Sequence, residues 1–397
     1  MPVGCGAKES VVVGRVAGVD AARGLALLGM MSVHVLPVTG DDGATSTAHL
    51  LAAGRSAALF AVLAGVGIAL ASGGQRPWRG RTRARWSAAL VLRAFVVGLI
   101  GLLLAVLDTG VAVILAYYAA LFVLAVPLLG LGPRRLAALA VTVALLMPAL
   151  SFVLRADLPR APDANPGIDT LLDDPGGLLQ VLVLTGYYPA SSWTAYLCAG
   201  LAVGRLALRS RRTAAWLLAG GAALAVAASA ASALLLGPLG GYPAIEAASD
   251  AGRADVDRGR FGTVPTDTWW WLATDAPHST TPPDLLHTSG TALAVLGLAL
   301  LVVPLAGRLL APLAAAGSMP LTLYTLHLVV LGLVGDADPW PFYLLQAVGA
   351  LAVALAWRTL VGRGPLEALL ALLTRAATGR SRNFGPPVRT PAAPPPA

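Results

Sequence analysis

The chain has 397 residues, of which 57% are hydrophobic and only 12% are charged. A soluble domain usually carries about 25% charged residues, so this composition excludes an ordinary soluble protein. Lipid must therefore be the solvent for much of the chain, and backbone polar groups in lipid have to bond within the protein. The apolar segments are about 20 residues long and do not alternate like barrel strands. The sequence thus predicts an all-α, polytopic integral membrane helical bundle.

About ten segments are long and apolar enough to be predicted as membrane helices. They cover residues 21–38, 54–72, 87–107, 110–130, 136–154, 191–208, 213–236, 287–306, 317–334 and 341–361. A further apolar segment at 177–184 is too short to span, and we interpret it as re-entrant or interfacial.

The distribution of charge predicts the orientation of this bundle. With both termini in the cytoplasm, 22 of the 28 basic residues fall on the cytoplasmic side and 17 of the 20 acidic residues fall outside. The positive-inside rule requires this distribution, which also explains the net charge of +8 without nucleic-acid binding. We predict a multi-pass protein of the cell (plasma) membrane with cytoplasmic N- and C-termini.

This topology divides the chain into three parts. They are a cytoplasmic N-terminal tail (1–19), a transmembrane domain (20–362) with outer loops at 155–176 and 237–286, and a cytoplasmic C-terminal part (363–397). The C-terminal part is predicted to contain an interfacial helix at 366–373 and a disordered, Pro-rich tail at 386–397. In the second outer loop, Trp269, Trp270 and Trp271 are either interfacial anchors or part of a lid over an outward-facing site.

The first predicted helix carries three ionisable residues, which are costly at membrane depth and therefore candidates for function. Asp20, Arg23 and His34 lie on one stripe, because Arg23 and His34 differ by about 20° around a helix and about 16 Å along it. We take all three as candidate catalytic residues. In the alternative interpretation, Asp20 and Arg23 form an ion pair at the cytoplasmic end, and His34 bonds a neighbouring helix.

A second group of polar residues is predicted on the outer side. His49, His278 and His287 join His34 there, so four of the five histidines share one side. Histidine suits acid–base chemistry near neutral pH, and the spacing does not resemble a zinc site, so no metal is predicted. His49 is a candidate catalytic residue, and His278 and His287 are candidate substrate-binding residues. Arg55 could bind an anionic group or could simply extend to the membrane surface.

The ninth predicted helix is also polar. It carries Ser318, Thr322, Tyr324, Thr325 and His327. Such side chains often bond neighbouring helices, and we take Tyr324 as a candidate substrate-binding residue. Residues 200–204 form a GxxxG pattern, which predicts close helix packing.

Several segments resemble the transmembrane acyltransferase superfamily. Residues 20–29 followed by His34 resemble its first helix, and residues 54–67 resemble the second helix of the YeiB-like branch. Residues 187–205, 317–324 and 362–367 resemble further parts of that branch. The superfamily includes the heparan-α-glucosaminide N-acetyltransferase group.

The resemblance implies transfer of an acyl group, commonly acetyl from acetyl-CoA, to a hydroxyl or amine of an extracytoplasmic glycan or lipid-linked acceptor. In the surface-polysaccharide enzymes the key histidine maps to His34, and in the heparan-type enzymes it maps loosely to His49, so both remain candidates. Either histidine would act as the general base on the acceptor or would carry the acyl group covalently. Arg23 would hold the anionic CoA together with Arg76 and Arg79, although a basic cluster at 76–85 also follows from topology alone.

A transporter or flippase for a lipid-linked or small anionic solute is the alternative function. Transporters often carry several ionisable residues along a central path, and the third to eighth predicted helices contain almost none. No clear internal repeat is visible either, which also favours the enzyme.

Overall fold

The computed structural model describes residues 15–40, 42–158, 164–259, 261–335 and 337–378. These residues form an all-α fold, in which the only strand-like pairing is a single bridge between Thr39 and Thr45. The predicted disordered tail at 386–397 lies outside the described residues, as does most of the predicted N-terminal tail.

The helices differ widely in length. They are α1 (Ala17–Val35), α2 (Thr47–Ala52), α3 (Arg55–Ala71), α4 (Gly80–Leu104), α5 (Leu115–Leu128), α6 (Pro133–Leu154), α7 (Ile168–Asp173), α8 (Pro175–Gln180), α9 (Ala190–Gly204), α10 (Arg211–Leu236), α11 (Gly241–Ala248), α12 (Arg253–Arg258), α13 (Pro282–Val302), α14 (Ala311–Ala316), α15 (Pro320–Val334), α16 (Pro339–Leu360) and α17 (Pro365–Thr378). Short 3₁₀ turns cover Ala105–Leu107 and Trp269–Ala273, and a π-helical turn covers Val181–Thr185.

Local sequence explains where many of these helices begin. Proline opens α6, α13, α15 and α16, a position where its missing N–H costs no helical bond. Ser46, Ser210 and Thr281 cap α2, α10 and α13, because each side chain accepts a hydrogen bond from the first turn.

Among the described residues, six helical segments are long and apolar enough to cross a membrane. They are Thr47–Ala71, Gly80–Leu107, Pro133–Leu154, Arg211–Leu236, Pro282–Val302 and Pro339–Leu360. Helix α1 has the length to span but carries two charged residues, and α5, α9 and α15 have only 14 or 15 residues. Fifteen residues extend about 22 Å, less than the hydrocarbon core of about 30 Å. Each of the ten predicted spans overlaps one of the observed helices. Because only six segments of the described chain are long and apolar enough to cross a membrane, the count of ten spans and their orientation remain predictions.

Glycines allow the central helices to approach closely. A Cβ on Gly200 would overlap the carbonyl oxygen of Val62, and one on Gly204 would crowd Ala69, so α9 packs against α3 as the GxxxG pattern predicts. A Cβ on Gly317 would overlap the carbonyl oxygen of Asp20, so the chain just before α15 lies directly against α1. Helix α1 also contacts α3, α13, α14 and α16, which places it near the centre of the bundle.

The segment between α10 and α13 folds into a small core of its own. Ile245 of α11, Val256 of α12 and Trp271 are buried together there. Trp271 is 1% exposed, so it is a core residue rather than an anchor at a membrane surface. Trp269 is half-exposed and stacks on Phe152 of α6, with ring centroids 4.4 Å apart.

Candidate functional site

The start of α1 and the residues just before it hold an ion-paired cluster. Arg15 and Arg23 both contact the buried carboxylate of Asp20, at 2.9 Å and 3.3 Å. Arg23 also donates hydrogen bonds to the carbonyl oxygens of Gly317 and Leu63, each at 3.3 Å. The Asp20–Arg23 ion pair proposed from the sequence therefore forms, and it ties α1 to α3 and to the chain before α15.

His34 lies 14 residues beyond Asp20, about 21 Å further along α1, and bonds two other helices through a chain of side chains. His34 Nδ1 is 3.0 Å from Nε2 of His327 in α15, and His327 Nδ1 is 2.6 Å from Oε1 of Gln346 in α16. The two ring planes lie within 15° of each other and their centroids are 5.3 Å apart, so the rings meet edge to edge along this bond. His34 thus bonds a neighbouring helix, as the alternative interpretation predicted.

Tyr324 connects His34 to a cavity. The Tyr324 ring meets the His34 ring edge-on, with the centroids 6.4 Å apart. Its hydroxyl accepts a hydrogen bond from the Ile114 N–H at 3.4 Å, which fixes the ring against the start of α5. Tyr324 is buried and lies on the cavity wall, so its ring is in contact with both the cavity and His34.

The cavity has a volume of about 830 Å³ and lies between α1, α3, α4, α5, α15 and α17. Apolar and aromatic side chains supply most of its wall. Five arginines also line it, namely Arg15, Arg23, Arg93, Arg363 and Arg375. We call the part of the molecule with Arg15, Arg363 and Arg375 the arginine end, and the opposite end, with Gly54 and His278, the loop end.

Arg93 occupies a special position among these arginines. It lies 13 residues after the start of α4 and contacts the face of the Phe122 ring at 5.6 Å. The sequence placed Arg93 with the cytoplasmic charges, but the side chain lines the cavity. Arg76 and Arg79, the predicted CoA ligands, are exposed before α4 and are not among the residues that line it.

Tyr118 supplies a polar group inside this mainly apolar cavity. Its side chain is 2% exposed, and its hydroxyl has no hydrogen-bond partner among the described residues. An unpaired buried hydroxyl costs about 1–3 kcal/mol, so this group is suited to a ligand that brings an acceptor.

Helix α17 closes one side of the cavity. Glu367 accepts hydrogen bonds from the backbone N–H groups of Leu321 and Thr322, at 2.7 Å and 3.2 Å, and from the Thr322 hydroxyl at 2.6 Å. The carboxylate thereby caps the first turn of α15, where the helix dipole favours a negative charge. Helix α17 extends to Thr378, and Leu370 and Arg375 on it line the cavity.

At the loop end, His278 is held against the start of α3. The Gly54 N–H donates to His278 Nε2 at 3.1 Å, so Nδ1 carries the proton of the neutral ring. That Nδ1 is buried and has no partner among the described residues. Burial, with a smaller contribution from His49, lowers the pKa of His278 to about 4.

The backbone around His278 is in an unusual conformation. His278 and Thr280 have φ angles of 62° and 52°, in the left-handed region that non-glycine residues rarely adopt. The Thr280 N–H donates to Asp284 at 2.9 Å and holds the segment in place. The other carboxylate oxygen of Asp284 is buried and has no partner in the described part of the chain. Strained backbone of this kind concentrates at ligand-binding sites.

His287 is held by hydrogen bonds from one of its ring nitrogens to α10. Its Nδ1 is 2.8 Å from the Ser229 hydroxyl and 3.2 Å from the carbonyl oxygen of Ala225, while the Ser229 hydroxyl donates to Asp275 at 2.5 Å. Because a carbonyl oxygen only accepts, the proton lies on Nδ1. His287 Nε2 therefore carries a lone pair, and it is buried without a described partner.

The other candidates at this end have simpler surroundings. His49 Nδ1 is 3.3 Å from the hydroxyl of Ser46, the residue that caps α2. Arg55 donates to the carbonyl oxygen of Ala53 at 3.5 Å and forms no ion pair with a described residue. Among the described residues, no group of three or more His, Cys, Asp and Glu side chains is arranged to hold a metal ion.

The structure thus separates the predicted site residues into two groups. Arg23 and Tyr324 line the cavity, with Asp20 paired to Arg23 and His34 in contact with Tyr324, whereas His49, Arg55, His278 and His287 lie toward the loop end. Arg93, Tyr118 and Gln346 were not among the predicted site residues, and His327 was interpreted only as a helix contact. An isolated polar residue in an apolar helix was the signal that could have identified Arg93 and Gln346.

Residues 15–235 match the family model described as heparan-alpha-glucosaminide N-acetyltransferase, catalytic. The match begins just before α1 and ends in α10, so it includes His34, His49, Arg93 and Tyr118. None of the curated proteins matches the chain. Because the match covers more than half of the chain, the chain belongs to this family of membrane acetyltransferases. This confirms the resemblance to the heparan-type group, while the resemblance to the YeiB-like branch stays a prediction.

Proposed function

We propose that this protein transfers an acetyl group from acetyl-CoA, bound in the cavity, to a hydroxyl or amine of a glycan or lipid-linked acceptor that arrives at the loop end. The observation that carries this proposal is the cavity itself. It is lined by arginines at one end and reaches Tyr324, whose ring contacts that of His34.

The chemistry of the cavity wall fits an acyl-CoA. Phosphate groups are bound best by arginines, which offer several directed N–H donors. The apolar walls contributed by Phe60, Leu90 and Val97 suit the long, mostly uncharged pantetheine arm. The unpartnered hydroxyl of Tyr118 can donate to the thioester carbonyl, where negative charge develops during transfer.

The charge distribution supports the proposed direction of transfer. The arginine end belongs to the side that the positive-inside rule assigns to the cytoplasm, where acyl-CoA is made. We infer that both termini are cytoplasmic and that the loop end faces outward from the cell membrane. Ten spans would produce this arrangement.

His34 is the proposed base. Its Nε2 takes the proton from the acceptor hydroxyl or amine as the acceptor oxygen or nitrogen attacks the thioester carbon. The C–S bond then breaks, and the CoA thiolate leaves and takes the proton from the His34 imidazolium, which regenerates the neutral ring. General base catalysis of this kind contributes about 10²–10⁴-fold to the rate.

The unpartnered groups at the loop end are the proposed contacts for the acceptor. His287 Nε2 and the free carboxylate oxygen of Asp284 can accept hydrogen bonds from hydroxyl or amine groups, and His278 Nδ1 can donate one. Arg55 adds a positive charge close to this region, which suits a phosphate on a lipid-linked acceptor. Whether the product is an ester or an amide depends on that acceptor.

The test compares three proteins in inside-out membrane vesicles, which expose the cytoplasmic face to added [¹⁴C]acetyl-CoA. Wild-type vesicles loaded with glucosamine, which offers both an amine and hydroxyls, should accumulate labelled product. His34→Ala should reduce the labelling rate by at least about 100-fold, because the proposed base is removed. His49→Ala should retain most of it. Equal labelling by all three proteins would exclude His34 as the base.

A further inference from the structure

Two hydrogen bonds join His34, His327 and Gln346 in a series, here called the imidazole relay, and the donor and acceptor of each bond can be assigned. We propose that Gln346 and His327 are positioning residues that hold His34 in one tautomer, with the proton on Nδ1 and a bare, basic Nε2. The inference about the tautomer stands on geometry alone, and its consequence for catalysis rests on the proposed role of His34.

The amide oxygen of Gln346 determines which atoms donate and which accept along the relay. This oxygen, an acceptor without a proton, lies 2.6 Å from His327 Nδ1, so that nitrogen must be the donor. A neutral His327 then has a lone pair on Nε2. This atom lies 3.0 Å from His34 Nδ1, which must therefore donate. His34 Nε2 is left as the only ring nitrogen of the relay that is free to take a proton.

The relay is built to keep this arrangement. Its members come from three helices, α1, α15 and α16, so their relative positions depend on the packing of the bundle. His327 is 2% exposed, which excludes most water that could replace either bond. The two ring planes lie within 15° of each other, which keeps the His34–His327 bond in the plane of both imidazoles. Hydrogen bonds in such surroundings reinforce each other along a chain.

If Gln346 served only to pack α16, it would destabilise the fold relative to an apolar residue. Its amide nitrogen is buried and has no partner among the described residues, and a lost hydrogen bond of this kind costs about 1–3 kcal/mol. An apolar side chain of similar size would remove that cost in an otherwise apolar helix. The bond that Gln346 does make is the one to His327, so we infer that the residue is present for its oxygen.

The relay also suits the proposed reaction. When His34 Nε2 takes a proton from the acceptor, its Nδ1–H continues to donate to His327, so the proton transfer requires no rearrangement of the ring. The same orientation serves when the proton is returned to the departing thiolate. A ring that exchanged between tautomers would spend part of its time with Nε2 already protonated and unable to act as a base.

Nitrogen NMR measures the tautomer directly, without any substrate. The chain contains only five histidines, so the ring ¹⁵N signals of purified protein can be assigned with single substitutions. The expected spectrum shows a protonated Nδ1 and a bare Nε2 for His34, and a protonated Nδ1 for His327. Gln346→Met should produce a mixture of His34 tautomers. Gln346→Glu, which keeps the acceptor, should preserve the wild-type pattern, as should the matched control Gln180→Met.

A proton on His34 Nε2 in the wild type, or an unchanged spectrum in Gln346→Met, would overturn the relay. This measurement decides the point even when a variant is inactive or the acceptor is different.

Kinetics then test the consequence for catalysis. In liposomes that contain glucosamine, Gln346→Met and His327→Phe should lower kcat about 10- to 100-fold while the KM for acetyl-CoA changes less than about twofold. Gln346→Glu should recover most of the lost rate. If the wild type transfers acetate and Gln346→Met matches it in kcat, the relay does not support catalysis. If the wild type itself transfers none, the proposed function fails, and the NMR result stands independently.

Discussion

At the scale of one residue, burial determines the protonation state and the hydrogen-bonding role of His278 at the loop end. Its Nε2 is committed to the Gly54 N–H, and the rings of Phe261 and Tyr188 pack around it. With its pKa lowered to about 4 by burial and, to a lesser extent, by His49, the ring stays neutral at physiological pH. It can therefore act as a hydrogen-bond donor through Nδ1 but not as a cation.

This burial makes stability depend on pH. Between about pH 6.5 and pH 4 the unfolded chain binds a proton at His278 and the folded protein does not, so the free energy of unfolding falls as the pH is lowered through this range. The loss reaches up to about 3 kcal/mol at the bottom of the range and vanishes above pH 6.5. Thermal unfolding of the purified protein at a series of pH values measures it.

The matched control for this measurement is His278→Gln, which removes the titrating group. Wild type should lose more thermal stability than His278→Gln on acidification from pH 7 to pH 4. Parallel curves for the two proteins would show that His278 is not held neutral.

At the scale of one element, α17 is part of the cavity wall rather than an appendage. The sequence predicted an interfacial helix at 366–373, and the observed helix, Pro365–Thr378, is longer and contacts both α4 and α15. Its attachment is electrostatic, because the Glu367 carboxylate caps the first turn of α15. The amphipathic pattern predicted the helix, but no local pattern indicates which helix start a carboxylate 46 residues away will cap.

Because the Glu367 carboxylate caps α15, we expect the substitution Glu367→Gln to reduce the stability of the protein. Glu367→Gln keeps the shape of the side chain but removes the charge and one acceptor oxygen, so it should destabilise the protein by about 1–2 kcal/mol. Hydrogen exchange should accelerate in the first turn of α15 and along α17. Glu246→Gln, at an exposed position on α11, is the matched control and should change neither. Slow exchange of α17 in Glu367→Gln would contradict this account of the cap.

At the scale of the whole molecule, the fold has two chemically different ends. Arginines line the cavity toward one end, buried polar groups without a described partner lie toward the other, and Tyr324 and His34 lie between them. Such an arrangement suits a reaction whose two substrates approach from opposite sides of a membrane.

Sequence predicted the parts of this arrangement that depend on local pattern. Hydrophobic length identified the helices, and the cost of ionisable groups in lipid singled out Asp20, Arg23 and His34. The pairing of His34 with His327, 293 residues away, depends on how α1 and α15 pack, which local pattern does not contain. Charge clustering likewise suggested Arg76 and Arg79 as CoA ligands, whereas the path of the chain brings Arg93 into the cavity wall.

Acetyl transfer across a sealed bilayer by the purified protein tests the central claim most directly. Liposomes that contain only this protein and enclosed glucosamine would receive [¹⁴C]acetyl-CoA from outside. Protein molecules with the arginine end outward should produce labelled N- or O-acetylglucosamine inside the liposomes, while free CoA thiol appears outside in equal amount. Release of unmodified glucosamine with no labelled product inside would contradict this account and would favour a transporter.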